Sequence, residues 1–404
     1  MRSVFGHCSV PLCLLAIQLA ALSLFAQPAR EPRVSAAVSH GVYIDSQGNR
    51  WGWGHNLFGE YGGGGASTPK GSWTPVAVPG RRDIVDVAVA EKYALFLLAA
   101  GTALAAGVNG HGQLGIGRMD ILPGTRETRA PVAVPTPIAG LTRVKQLAAG
   151  WHFALALLEA GTVMAWGERD SGKLGDGEVG PFRDRVNDIP TPRPVMGLSG
   201  VRQIAAGREF ALALMSDGTV MGWGRALTGQ LGEAVTSKSG VPVAIRGLER
   251  VKQIAAAELN GLALLEDGTV RTWGTKTCAI VLESKAFDPN KGFSAKPIPV
   301  PGLKNVRSLV AGGDSSHVMA ILNDGTVRTW GCNGYYDQGL GHKEELPNRL
   351  GQPKISGVVA GAVAQRTTFF VLRDGTLLAS GAILPQQSQL YRVPTVLVKS
   401  LSGR

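Results

Sequence analysis

A seven-bladed β-propeller, all-β with four antiparallel strands to a blade, is the fold expected of this 404-residue chain. Three features point to it. A hairpin motif returns seven times, at intervals of 50–60 residues. The 55 glycines are too many for a helical protein and suit one rich in turns. Between the motifs lie Pro-rich segments of the kind that edge strands tolerate.

The motif is clearest in "NDGTVRTWG" at 323–331, "EDGTVRTWG" at 266–274, "SDGTVMGWG" at 216–224 and "EAGTVMAWG" at 159–167. Weaker copies are "SQGNRWGWG" at 46–54, "AAGTALAAG" at 99–107 and "RDGTLLASG" at 373–381. The turn glycines are Gly48, Gly101, Gly161, Gly218, Gly268, Gly325 and Gly375. Asp-Gly between two extended runs marks a tight hairpin, because glycine takes positive φ without steric cost. Upstream of each turn runs a strand such as "LALLE". Its large residues (Leu155, Leu157, Leu212, Leu214) alternate with small ones (Ala156, Ala213), as a strand pressed between two neighbouring sheets requires. Downstream, Trp53, Trp166, Trp223, Trp273 and Trp330 stand five residues past the glycine, with Ala106 and Ser380 in the other two copies.

A further strand precedes each hairpin ("VKQLAAG", "VRQIAAG", "VKQIAAA", "VRSLVAG"), and a Pro-rich edge segment precedes that. Four short strands repeated seven times cannot cover their own apolar faces, so the blades must cover one another in a ring. The last segment, around Val393 to Leu397, has no hairpin after it. It is expected to join the first blade and close the ring, leaving no open sheet edge.

The N-terminus reads differently. Arg2, then an apolar run from Val10 to Ala26, marks residues 1–26 as a secretory signal peptide, and residues 27–404 as one propeller domain. No later apolar run is long enough to span a bilayer. The mature chain would carry 40 Lys and Arg against 30 Asp and Glu, a net charge of +10. That balance favours acidic partners or anionic surfaces without indicating nucleic acid. Secretion or a periplasmic location, and a monomer, are expected.

The turn-Thr-Val-x-x-Trp-Gly hairpins and the loops that follow them, "GVNGHGQLGIG" at 107–117, "GERDSGKLGDG" at 167–177 and "GRALTGQLGE" at 224–233, resemble the regulator of chromosome condensation repeat family. The resemblance spans nearly all of the mature chain, and the signal peptide fits a secreted bacterial-type member. The loop after Gly274 has lost the Gly-Gln-Leu-Gly element, as has the loop after Gly381. The resemblance implies a seven-bladed propeller. It leaves the activity open, since the family holds a nuclear exchange factor for a small GTPase, scaffolds, and secreted inhibitors of β-lactamases.

Function is expected on the face that carries the long loops, because the Asp-Gly turns of the other face are nearly uniform. Eight residues before each turn glycine the chain should look inward; His40 and His317 there read as structural histidines. The two positions before that should border the central opening. They supply the candidate partner-binding residues Glu91, Lys92, Trp151, His152, Arg208, Glu209, Glu258, Ser315 and Arg366. A Trp beside Arg and Glu is the composition of an interface anchor. The long loops add Trp73, Phe182, Tyr335, Tyr336, Arg118, Arg126, Arg129, Arg183 and Arg185.

No Gly-x-Ser-x-Gly elbow, phosphate-binding Gly-Lys-Ser/Thr loop or His-Glu-x-x-His helix occurs. His55, His111 and His342 occupy equivalent loops, with Asp120 and Glu344 nearby, but a metal site would need three to converge. Neither cofactor nor metal is expected. A non-enzymatic binding propeller with a protein partner is the leading reading. The alternatives are a guanine-nucleotide exchange factor and a carbohydrate-active hydrolase or lyase using Glu91, Glu209 and Glu258. Cys278 and Cys332 follow the Trp-Gly of neighbouring blades, a spacing that permits an inter-blade disulfide.

Overall fold

The computed structural model describes residues 30–64, 69–120, 131–180, 187–276, 278, 280–281, 292–344, 349–382 and 390–399. The expected signal peptide lies outside them. The described residues form seven antiparallel sheets built from successive stretches of chain. The first blade is β1 (Arg33–Ala36), β2 (His40–Ile44), β3 (Arg50–His55) and β4 (Gly71–Val78). The second is β5 (Ile84–Val89), β6 (Tyr93–Leu98), β7 (Ala103–Gly107) and β8 (Val132–Pro137). The third is β9 (Val144–Ala149), β10 (Phe153–Leu158), β11 (Val163–Gly167) and β12 (Ile189–Pro194). The fourth is β13 (Val201–Ala206), β14 (Phe210–Met215), β15 (Val220–Arg225) and β16 (Lys238–Ala244). The fifth is β17 (Val251–Ala256), β18 (Asn260–Leu265), β19 (Val270–Thr275) and β20 (Phe293–Pro299). The sixth has three strands, β21 (Val306–Val310), β22 (His317–Leu322) and β23 (Val327–Gly331), with Gly351 bridging Thr329 at the outer edge. The seventh is β24 (Val358–Ala364), β25 (Thr367–Leu372), β26 (Leu377–Gly381) and β27 (Tyr391–Val398).

The expected closure is corrected. β27 pairs with β26 of its own blade, and the first blade draws its inner strand from Arg33–Ala36. The error was one of frame. Each Pro-rich segment is the outer strand of the blade before it, so the final segment completes blade seven. The ring closes by packing instead of strand exchange. Phe369 and Val371 of blade seven share a buried cluster with Ala36, Tyr43 and Trp53 of blade one. The Trp53 and Phe369 rings lie 4.6 Å apart, and the Tyr43 hydroxyl donates to the Gly375 carbonyl at 2.7 Å.

The motif now has a physical reading. Gly218 sits at φ 85°, and the Asp217 carboxylate holds the turn by accepting from the Thr219 amide (2.9 Å) and hydroxyl (2.7 Å). Asp267 with Thr269 and Asp324 with Thr326 repeat the arrangement. Where blades three and four meet, large residues face small ones and an indole. Leu155 and Leu157 of blade three pack on Ala211, Ala213 and Trp223 of blade four. Three of the indoles also reach back one blade: Trp166 Nε1 donates to the Gln113 carbonyl (2.9 Å), Trp223 to Lys173 (2.9 Å) and Trp273 to Gln230 (2.8 Å). The Gly-Gln-Leu-Gly loops are therefore seats for the next blade's tryptophan. Blades two and seven, which lack that tryptophan, carry buried Phe96 and Phe370 where blades three to six carry Ala156, Ala213, Ala263 and Ala320. On that same face a larger ring in the second strand replaces the missing indole in the third.

A glutamine in three inner strands clamps the next inner strand. The Gln203 amide donates to the Ile254 carbonyl at 3.0 Å and accepts from the Ile254 amide at 2.8 Å. Gln146 treats Ile204 the same way, and Gln253 treats Leu309. Replacing Gln203 by Ala strands a donor and an acceptor on Ile254. It should cost about 1–3 kcal/mol of unfolding free energy in urea titration; a loss below about 0.5 kcal/mol would rule the clamp out as a stabilising contact.

Where blade five lacks its Gly-Gln-Leu-Gly loop, the structure joins Cys278 to Cys332 of blade six as a disulfide, with Cα atoms 4.7 Å apart. The Trp330 indole is seated on the Ile280 carbonyl at 3.1 Å in the same region. Unfolded, unreduced protein lacking residues 1–26 should show no free thiol. Replacing both cysteines by Ser should cost about 2–4 kcal/mol; two titratable thiols would exclude the bond.

Candidate functional site

The turns joining first and second strands meet the loops leaving third strands on one face. A repeated hydrogen bond ties them, as from His55 N to Ser39 O (2.8 Å), Val108 N to Lys92 O (2.9 Å) and Glu168 N to His152 O (2.9 Å). The turns are linked to each other around the ring. Trp151 N donates to Arg208 O, Arg208 N to Glu258 O and Glu258 N to Ser315 O, each at 3.1 Å. Within this belt lies a cavity of about 420 Å³, lined in part by Glu91, Lys92, Trp151, Arg208, Glu258 and Asp314.

Trp151 organises the cavity wall. Its Nε1 donates to Glu91 Oε2 at 2.5 Å, the Arg208 guanidinium stacks 4.0 Å from its ring centroid, and Arg208 is ion-paired with Glu258. The indole is half-buried and already held by both neighbours. Five of the nine sequence-derived residues thus converge: Glu91, Lys92, Trp151, Arg208 and Glu258. Four do not. Glu209 is buried and paired with Arg225, and Ser315 is buried and bonded to Gly312, so neither is available to a partner. His152 turns away toward Glu168 (3.2 Å), and Arg366 stacks outward on Tyr335 at 4.3 Å. His40 and His317 are buried, and desolvation lowers each to a pKa of about 3. Phe182, Arg126, Arg129, Arg183 and Arg185 fall outside the described residues.

The cavity floor was missed. Five residues separate Ile254 from Asn260, and five separate Ile204 from Phe210, but seven separate Leu309 from His317. The surplus is Gly312-Gly313, which carries Asp314 across the axis, where its Oδ2 accepts from the Val38 amide of blade one at 2.7 Å. A Cβ on Gly313 would lie 3.0 Å from the Ala206 carbonyl oxygen and 3.4 Å from those of Ala149 and Gly207, so the loop crosses in tight contact with blades three and four. The loop separates the cavity from a channel of about 530 Å³ lined by all seven inner strands. Burial, reinforced by Glu258 and Glu91, raises Asp314 to a pKa of about 7. The readable signal was the two-residue length difference.

Comparisons with known proteins agree with this architecture. Profiles described as regulator of chromosome condensation (RCC1) repeat match residues 144–172, 201–230 and 306–337, and residues 100–157 and 160–214. The chain is 26% identical over 384 residues to the ultraviolet-B receptor UVR8 of Arabidopsis thaliana, covering 91% of this chain and 80% of that one. It is 30% identical over 298 residues to the probable E3 ubiquitin-protein ligase HERC6 of Homo sapiens, covering 70% of this chain but only 26% of that protein. The fold matches the crystal structure of Prp20p from Saccharomyces cerevisiae with a TM-score of 0.71 at 23% identity, over 87% of this chain and 86% of that one.

Proposed function

We propose, from the premise that this chain is a seven-bladed propeller of regulator of chromosome condensation repeats, that it is a secreted or periplasmic, non-enzymatic binding module whose protein partner docks over the loop-rich face. The observation that carries the reading is the cavity mouth. Acidic and basic groups, Glu91, Lys92, Arg208 and Glu258, flank an indole fixed in place before any partner arrives. Preorganisation lowers the cost of binding, and an Arg-Trp pair at the centre of a surface has the composition of a hot spot. The loops around it expose Leu57, Leu227 and Tyr335. The opposite face offers repeated Asp-Gly turns. Prp20p is described with binding to Gsp1p and histones, and that use of a propeller to hold proteins is the part carried over here.

Replacing Trp151 and Arg208 together by Ala should weaken the partner by about 2 kcal/mol or more in calorimetry, a loss of roughly thirtyfold. Unchanged affinity in a folded double variant would move the interface elsewhere. The partner itself is to be captured from secreted or envelope fractions with the mature chain as bait. Accelerated nucleotide release from a small GTPase would favour the exchange-factor reading instead.

A further inference from the structure

Outside the central cavity, blades two and three bring six ionisable side chains into one cluster. His111 comes from the loop after β7, His152 from the turn between β9 and β10, and Glu168, Asp170 and Lys173 from the loop after β11. Asp188 comes from the residue before β12. All but the half-buried His152 are buried, Lys173 completely. His111 Nδ1 lies 2.7 Å from Asp188 Oδ2 and 3.8 Å from Glu168 Oε1. His152 Nδ1 lies 3.2 Å from Glu168 Oε2. The two imidazoles stack at 4.4 Å, with planes 10° apart. Lys173 Nζ bonds Glu168 and lies 2.7 Å from Asp170 Oδ1. The nearby Arg169 guanidinium is directed to Asp176, at 2.8 Å.

Among the described residues, Glu168 and Asp188 meet the two imidazoles, and Glu168 also meets Lys173. Donor atoms of His111, His152 and Glu168 all lie within 4.8 Å of one another. A crevice of about 250 Å³ lined by His111, Trp151 and His152 provides an entry path.

We propose that this cluster binds one divalent transition-metal ion of the zinc class, through His111, His152, Glu168 and Asp188. Imidazole nitrogen and carboxylate oxygen are the ligands such ions take. Tetrahedral ligands sit about 3.3 Å apart when each is about 2.0–2.1 Å from the ion. The existing donor separations bracket that value. The near-parallel rings must tilt for their in-plane lone pairs to converge, and His152, on a turn and partly exposed, is the one with room to do so. Lys173 and the Arg169 amide, which donates to Asp188 Oδ1 at 3.1 Å, then hold the carboxylates from behind. Lys173 stands in a loop whose counterparts carry Gln113 and Gln230, so the charged set belongs to this one blade boundary.

The test is calorimetric titration of the chelator-stripped protein with zinc chloride, repeated with cobalt(II) to read its visible absorption. One ion per chain should bind, the Tm should rise, and cobalt should give the spectrum of a four-coordinate nitrogen–oxygen site. His111→Ala and His152→Ala should each lower the affinity at least tenfold. Asp188→Asn, which keeps the side-chain shape and can still accept from the Arg169 amide, should weaken binding likewise, and it guards against loss by misfolding. Absence of stoichiometric binding, or binding indifferent to both histidine variants, would overturn the site. The outcome is independent of where a protein partner docks.

Discussion

Trp223→Ala is expected to lower the unfolding free energy by about 3–5 kcal/mol. The indole is completely buried at the boundary of blades three and four, among Leu155, Leu157, Val195 and Leu198. Its removal leaves a cavity that the surrounding strands cannot close, because both are fixed in their own sheets. It also strands the Lys173 carbonyl that Nε1 holds at 2.9 Å. Trp223→Phe separates the two losses. Much of the packing is kept, so the cost should fall to about 1–3 kcal/mol, from the stranded carbonyl and the smaller ring. Urea titration of both variants checks the claim. A Trp223→Ala cost below about 1 kcal/mol would mean that blades do not hold one another through this seat.

Asp314→Asn should make the protein more stable at pH 8 and leave it nearly unchanged at pH 4. The carboxyl rises from its usual 3.8 to about 7 because the loop takes it out of water and sets it toward Glu258 and Glu91. The folded state therefore holds a proton that the unfolded chain has lost between those values. Stability falls as pH climbs from about 4 through 7. The full shift is worth about 4 kcal/mol, and the asparagine variant, whose amide oxygen can still accept from Val38, should recover about 2–4 kcal/mol of it at pH 8. His40 and His317 act in the opposite sense. Their folded pKa of about 3 lies below the ordinary 6.5, so their contribution is lost as pH falls through that interval. The difference between Asp314→Asn and the parent cancels the histidine effect, and it should grow steadily with pH. A difference that stays flat from pH 4 to 8 would place the carboxyl in water.

The repeat made the blades legible because a turn glycine, a strand alternation and a tryptophan recur in register. The two faces followed from topology alone. What failed was the assignment of each Pro-rich strand to a blade. A Pro-rich edge strand lies between two blades in the sequence, and only its pairing shows which it belongs to: Gly71–Val78 with Arg50–His55, and Tyr391–Val398 with Leu377–Gly381. Side-chain direction was equally hidden. Lys92 and Glu209 hold equivalent positions, yet one borders the cavity and the other is buried against Arg225. The cluster around His111 escaped because its six members come from four separate segments of two blades, and their spacing matches no metal motif. The Gly312-Gly313 insertion was visible as length and went unread, since only the third dimension shows it crossing the axis.

The central functional claim is that the partner sits over the cavity mouth and not on the Asp-Gly turns. It is tested most directly by placing a photo-crosslinking residue at exposed Lys92 in one variant and at exposed Asp217 in another, then irradiating each in the native secreted or envelope fraction. A discrete adduct from position 92 and none from position 217 is the predicted result. Adducts from position 217 alone would contradict it.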